Sequence, residues 1–191
     1  MQEIRHVTLT ELEAGLDTIR RSPKAEGLLA LIVCRPSIGE REILKEGELD
    51  LREGLVGDTW RTRGSSRTED GSSHPDTQLT LINARVIALL DQTRERWSLA
   101  GDQLFVDLDL SLDNLPAGTR LALGAAVIEV TAQPHTGCHK FRARFGRDAL
   151  KFVNSPAGKQ LRLRGLNAKV VQPGMIRTGD GVKKLDGMSL R

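Results

Sequence analysis

The stretch Arg120-Leu121-Ala122-Leu123-Gly124-Ala125-Ala126-Val127-Ile128-Glu129-Val130-Thr131 decides the reading of the fold. Two short apolar segments, 120–123 and 126–131, fit strands. Gly124 and the upstream Pro116-Ala117-Gly118 supply the turns between such elements. The same punctuation extends in both directions. Downstream, strands are expected over 167–171 and 181–185, flanking Pro173-Gly174 and Gly179-Asp180. Upstream they are expected over 103–108, 78–82 and 41–45, and over 28–33, where an unbroken apolar run suits a strand buried on both faces.

Helices are few. Leu9, Leu12, Leu16 and Ile19 mark one face of a single amphipathic helix, with Thr10 and Glu13 as a capping box and Pro23 ending the run. Asn83 caps a second helix whose apolar face is Val86, Ile87, Leu89 and Leu90. A helical patch over 148–153 is stopped by Asn154, Ser155 and Pro156. Many short strands between Gly/Pro turns, with few helices, predict a mainly β, α+β chain built on a closed or nearly closed β-barrel. The expected organisation is an N-terminal helical extension over 1–25, one domain over 28–186 and a frayed tail over 187–191. The extension packs on the barrel or on a second subunit, so monomer and homodimer both remain open.

The chain has 191 residues, enough for one domain, and no apolar run approaches the 18 or so residues of a membrane span. Its start lacks the apolar stretch of a signal peptide. The two cysteines, Cys34 and Cys138, are far apart in sequence, which fits a reducing cytoplasm and not a disulfide scaffold. Tyrosine is absent and aromatics are only 3%, which disfavours stacking on single-stranded bases. With no nucleic-acid-binding motif either, a nucleic-acid partner is not expected.

Charge is distributed unevenly. Segment 139–164 carries eight basic residues (Lys140, Arg142, Arg144, Arg147, Lys151, Lys159, Arg162 and Arg164) against the single acid Asp148, a net charge of +7 that leaves −4 for the rest. Such a field draws anions, and arginine suits phosphate in particular. Just before it lies Gln133-Pro134-His135-Thr136-Gly137-Cys138-His139-Lys140-Phe141. Pro134 and Gly137 shape a turn that places Cys138 at a loop tip. Nearby positive charge from His135, His139, Lys140 or Arg142 would favour its thiolate, the form that attacks, carries sulfur or binds metal. Cys34, inside an apolar run, reads as a small core residue. A closed zinc site needs four ligands, and no second Cys/His pair exists. For a Cys138–His135 hydrolase, no orienting third group is marked. The long polar segment 61–77 is a candidate loop for closing over a ligand.

The ordered set 124–131, then Pro134 with Cys138-His139-Lys140-Phe141, then Arg164-Gly165-Leu166-Asn167-Ala168-Lys169-Val170-Val171, then Pro173-Gly174 and Gly179-Asp180, resembles the MOSC domain. Gly54-Leu55-Val56-Gly57-Asp58 and Gln78-Leu79-Thr80-Leu81-Ile82-Asn83 fit its earlier strands. That domain forms the C-terminal part of molybdenum cofactor sulfurases and also occurs as free-standing bacterial proteins. The resemblance implies a barrel that binds the molybdenum cofactor, a pterin dithiolene bearing a phosphate (molybdopterin). It implies that Cys138 is a catalytic sulfur carrier or molybdenum ligand, with His135 beside it. Lys140, Arg142, Arg144, Arg162 and Arg164 become candidate contacts for anionic groups. Implied activities are sulfur transfer or molybdenum-dependent reduction of N-hydroxylated compounds, with a sulfur donor or redox protein as partner. Some relatives are fused to a pyridoxal-phosphate desulfurase, but no pyridoxal-phosphate lysine is identifiable here. Where relatives often have His two positions after Gly-Asp, this chain has Trp60. The alternative is a non-catalytic barrel that binds an anionic small molecule and has a structural cysteine.

Overall fold

A computed structural model describes residues 5–185, so the expected tail over 187–191 lies outside the described residues, as do residues 1–4. Its strands are β1 (Glu26–Cys34), β2 (Glu42–Leu44), β3 (Glu46–Asp50), β4 (Gly54–Leu55), β5 (Leu79–Asn83), β6 (Leu104–Asp107), β7 (Arg120–Leu123), β8 (Ala126–Val130), β9 (Leu166–Gln172), β10 (Gly174–Arg177) and β11 (Gly181–Leu185). The helices are α1 (Leu9–Ala14), α2 (Leu16–Arg20), α3 (Trp60–Arg63), α4 (Ala84–Leu90), α5 (His139–Asn154) and α6 (Pro156–Gln160).

Among the described residues, seven strands close a barrel in the order β1-β11-β7-β8-β9-β5-β6, with β6 pairing back to β1 and β2 added outside β1. Closure removes the exposed edges an open sheet would present. Neighbours are antiparallel except β5 and β6, whose parallel pairing is bridged by α4 and a 3-10 segment, Arg94–Ala100. A smaller sheet, β10-β3-β4, contributes Leu49, Leu55 and Ile176 to the barrel core.

Two apolar layers explain the unbroken run in β1. Leu29, Ile32 and Cys34 face the barrel interior, whereas Leu31 and Val33 face the helices, with a bulge against β6 between Leu29 and Leu31. Phe105 of β6 and Ile82 of β5 join the outer layer beneath Leu12, Ile19, Phe141 and Phe145.

Three local expectations are corrected. The N-terminal capping box is Thr8 with Glu11, not Thr10 with Glu13: Glu11 Oε2 accepts from the Thr8 N–H at 2.8 Å. The single N-terminal helix is two short ones meeting at Gly15, where a Cβ would overlap Leu89 of α4. The patch over 148–153 is the second half of α5, which begins at His139 and kinks at Gly146 (φ 93°). The N-terminal helices lie on the same chain, and the Asp148 carboxylate accepts the Leu9 N–H at 3.0 Å.

Candidate functional site

Everything in the site converges on Leu99-Ala100-Gly101-Asp102, the approach to β6. Three consecutive peptide oxygens accept guanidinium donors from remote parts of the chain. Arg144 of α5 reaches Leu99 at 2.6 Å, Arg164 reaches Ala100 at 2.9 Å, and Arg35, just after β1, reaches Gly101 at 3.0 Å. Gly101 adopts φ +86°, a backbone state that favours glycine.

Asp102 is fully buried. Its two oxygens bind Arg164 Nη1 at 2.6 Å and His135 Nε2 at 2.9 Å. Burial pushes the Asp102 carboxyl up, but the Arg164 charge and the hydrogen bonds from His135 and Arg164 together hold it below the ordinary carboxylate value. Burial, and then the Arg164 charge, push His135 below its ordinary value of 6.5 despite Asp102. His135 is therefore neutral at pH 7. Its Nε2–H donates to Asp102, and Nδ1 keeps a lone pair. That corrects the expectation of His135 as a source of positive charge for Cys138. It also supplies the orienting carboxylate that the sequence does not mark, although no hydrogen bond joins His135 to the thiol among the described residues.

On the other side of Gly101, Arg35 pairs with Asp58 through Nε and Nη2, each at 2.7 Å. The Arg41 and Arg144 guanidinium groups both approach Gly101, each 3.8 Å from the position a Cβ would take. Burial, then the charges of Arg144 and Arg35, pull the Arg41 pKa down, and burial and Arg35 do the same to Arg63. Among the described residues, three buried donors have no acceptor: Arg41 Nε beside Gly101, Trp60 Nε1 two residues after Asp58, and Arg164 Nε on the Asp102 side. Buried N–H groups are rarely left unpaired in a finished structure, so the arginine rim around Gly101 and Asp102 has unspent capacity for anionic oxygens.

Cys138 is exposed and occupies the N-cap of α5, where its side chain makes no capping bond. Thus it begins a helix and is not the tip of a loop. The preceding turn is fixed by Asn154, whose side chain accepts from the Gly137 N–H at 3.0 Å and donates back to its carbonyl at 3.2 Å. One turn into α5, the Phe141 ring lies 4.9 Å beneath the Arg164 guanidinium. Lys140 and Arg142 are exposed and pair with no carboxylate among the described residues. By contrast Cys34 is buried, and burial followed by the Asp58 charge pushes its thiol up.

The predicted site residues thus divide. His135, Arg162 and Arg164 line one cavity; Cys138, Lys140, Arg142 and Arg144 are not among its walls. Arg162 has φ +47° and donates to the Leu115 carbonyl at 2.6 Å. No group of three or more His, Cys, Asp or Glu side chains that could hold a metal exists among the described residues. Any metal here would take few protein ligands. Sequence reasoning missed Asp102, Arg35, Arg41 and Asp58. For Asp102 the available signal was an acid set directly against the apolar run of β6.

Comparison with known proteins agrees with this architecture. The MOSC domain family model matches residues 68–183. No curated protein matches the chain. Among solved structures, the YuaD protein from Bacillus subtilis superposes with a TM-score of 0.63 at 14% identity, covering 83% of this chain and 95% of that one. YiiM from Escherichia coli gives 0.53 at 19% identity, covering 83% and 70%. YiiM from Geobacillus stearothermophilus gives 0.51 at 14% identity, covering 86% and 75%. At these identities the structures speak for the fold alone. The family model, however, spans well over half of the sequence and includes β5 through β9 with Cys138, His135 and Asp102 between them, so the chain belongs to the MOSC domain family.

Proposed function

We propose that the protein binds the molybdenum cofactor, with the cofactor's anionic groups on the arginine rim and the Cys138 thiolate as the single soft protein ligand. The observation that carries this reading is the set of buried, unpartnered donors on Arg41, Trp60 and Arg164 in a chain whose exposed thiol heads the adjoining helix. A phosphate and a pterin ring offer the acceptors those donors lack. The donor set fits in a second respect: a dithiolene brings its own sulfur to the metal, so a site with one cysteine and no cage suffices.

When bound, the cofactor would supply a soft metal able to exchange sulfur or oxygen atoms, suited to sulfur carriage or to reduction of N-hydroxylated compounds. Arg144, on the helix that Cys138 heads, donates to the Leu99 carbonyl, and Phe141 of the same helix lies under Arg164, so both tie the thiol's helix to the rim. Neutral His135 holds its Nε2 proton on Asp102 and offers Nδ1 as a proton acceptor. Exposure weighs against a merely structural Cys138, because an exposed thiol fills no core space. A reducing cytoplasm is the matching location, since both cysteines are free.

The test is the molybdenum and pterin content of protein purified from a cofactor-producing host. The wild type should carry both, and Cys138→Ala should carry less molybdenum by about tenfold or more. Arg41→Ala should lose pterin along with metal. Equal content in wild type and Cys138→Ala would remove the cysteine from the site.

A further inference from the structure

A cavity of about 390 Å³ opens beside the barrel between the turn 131–136, the end of α5, α6 and the start of β9. That volume is in the range of sites for small organic molecules. Its walls are chiefly apolar, from Leu112, Pro134, Val153 and Leu166. No aspartate or glutamate lines it, yet Lys159, Arg162 and Arg164 all do. Lys159 is exposed and makes no ion pair among the described residues. Arg162 is half-buried and anchored through Nη1 alone, so its remaining N–H groups are uncommitted among the described residues. Arg164 is more than nine-tenths buried, and its Nε has no acceptor.

We infer that this cavity binds a small organic monocarboxylate with an apolar body. The apolar walls take the body, and the basic side chains take the carboxylate through the planar donors a guanidinium presents. A monoanion fits better than a dianion, because the largely apolar walls make a second charge costly to desolvate. Neutral His135, on the same wall, supplies a polar contact without cancelling the positive field. Asn154 both lines the cavity and brackets Gly137, so an occupant touches the turn that presents Cys138. The inference does not need the cofactor reading: the two share Arg164, whereas Lys159 and Arg162 serve the cavity alone.

The experiment is a fluorine NMR titration of the purified full chain with 4-fluorobenzoate, 4-fluorobenzamide and 4-fluorophenyl phosphate, three probes of one shape. The benzoate should bind, and the neutral amide should bind about tenfold or more weakly. Lys159→Glu should weaken the benzoate by about fivefold or more, and Ala132→Trp, at the exposed mouth, should block it. Both positions are exposed, so the variants keep the fold, and unchanged circular dichroism verifies this. Equal binding of amide and benzoate, tighter binding of the phosphate ester, no benzoate binding at millimolar concentration, or indifference to both substitutions would each overturn the inference. Molybdenum content in the same two variants should stay at the wild-type level, which separates this result from that of the cofactor test.

Discussion

Arg35–Asp58 and Arg164–Asp102 are both buried ion pairs, and they grip the same four-residue segment from opposite sides, but they are finished to different degrees. Asp58 takes two bonds from the Arg35 guanidinium and two more from the backbone N–H groups of Arg35 and Trp60. The third guanidinium nitrogen of Arg35 goes to Gly101, so every nitrogen of the group has an acceptor. Arg164 meets its carboxylate through one nitrogen, shares that carboxylate with a neutral imidazole, rests on an aromatic face and leaves Nε empty. A buried pair offsets its desolvation only when every donor and lone pair is used. The first pair comes nearer to that condition, with an acceptor for each guanidinium nitrogen and four bonds to its carboxylate, and reads as structural. The second falls further short, and its spare capacity lies where a ligand can use it.

The sharpest way to break this comparison is Asp58→Ala, which strands the Arg35 charge in the core. It should cost about 3–5 kcal/mol in urea unfolding. A loss below about 1 kcal/mol, the scale of an exposed pair, would show that the closed pair is not structural. Asp102→Asn should cost less, about 2 kcal/mol, because Arg164 keeps the Ala100 carbonyl and the Phe141 ring as partners. The same variant should hold 4-fluorobenzoate more tightly, having lost the competing carboxylate. A ranking in which Asp102→Asn is the more destabilising would reverse the assignment of the two pairs.

The smallest effect is on pH dependence. The His135 pKa is lowered in the folded chain, so below about 6.5 the unfolded chain binds more protons than the folded one. Stability therefore falls as pH drops from 6.5 toward the folded-state value, and His135→Gln should flatten that part of the profile. Asp102, also depressed, adds a further fall only near and below 3.8. A wild-type stability curve that rises on acidification below 6.5 would contradict the neutral imidazole.

The barrel strands were legible because their cues were local. Gly124 and the alternation after it place β7 and β8 almost to the residue, and Asn83 caps α4 as its side-chain chemistry suggests, accepting the Arg85 N–H at 2.8 Å. β3 was not legible, because its inward residue Gly47 lies tight against Leu55 and so shows no apolar side chain to complete the alternation. The first half of α5 was hidden by its basic run and by Gly146, which interrupts the helical period. Of the site, Cys138 and the basic segment stand out in composition. Asp102, Arg35 and Arg41 do not, because what makes them important is contact between residues more than 60 positions apart.

The triple grip on Leu99, Ala100 and Gly101 has a bearing on how the scaffold tolerates change. Besides the carboxylates that hold two of them, Arg35, Arg144 and Arg164 each bond a main-chain oxygen, which every amino acid possesses and substitution at 99–101 does not remove. The polar stretch 65–72 bonds mainly within itself and, among the described residues, makes no hydrogen bond to these three arginines, so changes of length there leave the three main-chain contacts in place. By contrast, a methyl group added at Gly101 would strain its φ +86° backbone, and with it the carbonyls that three arginines hold.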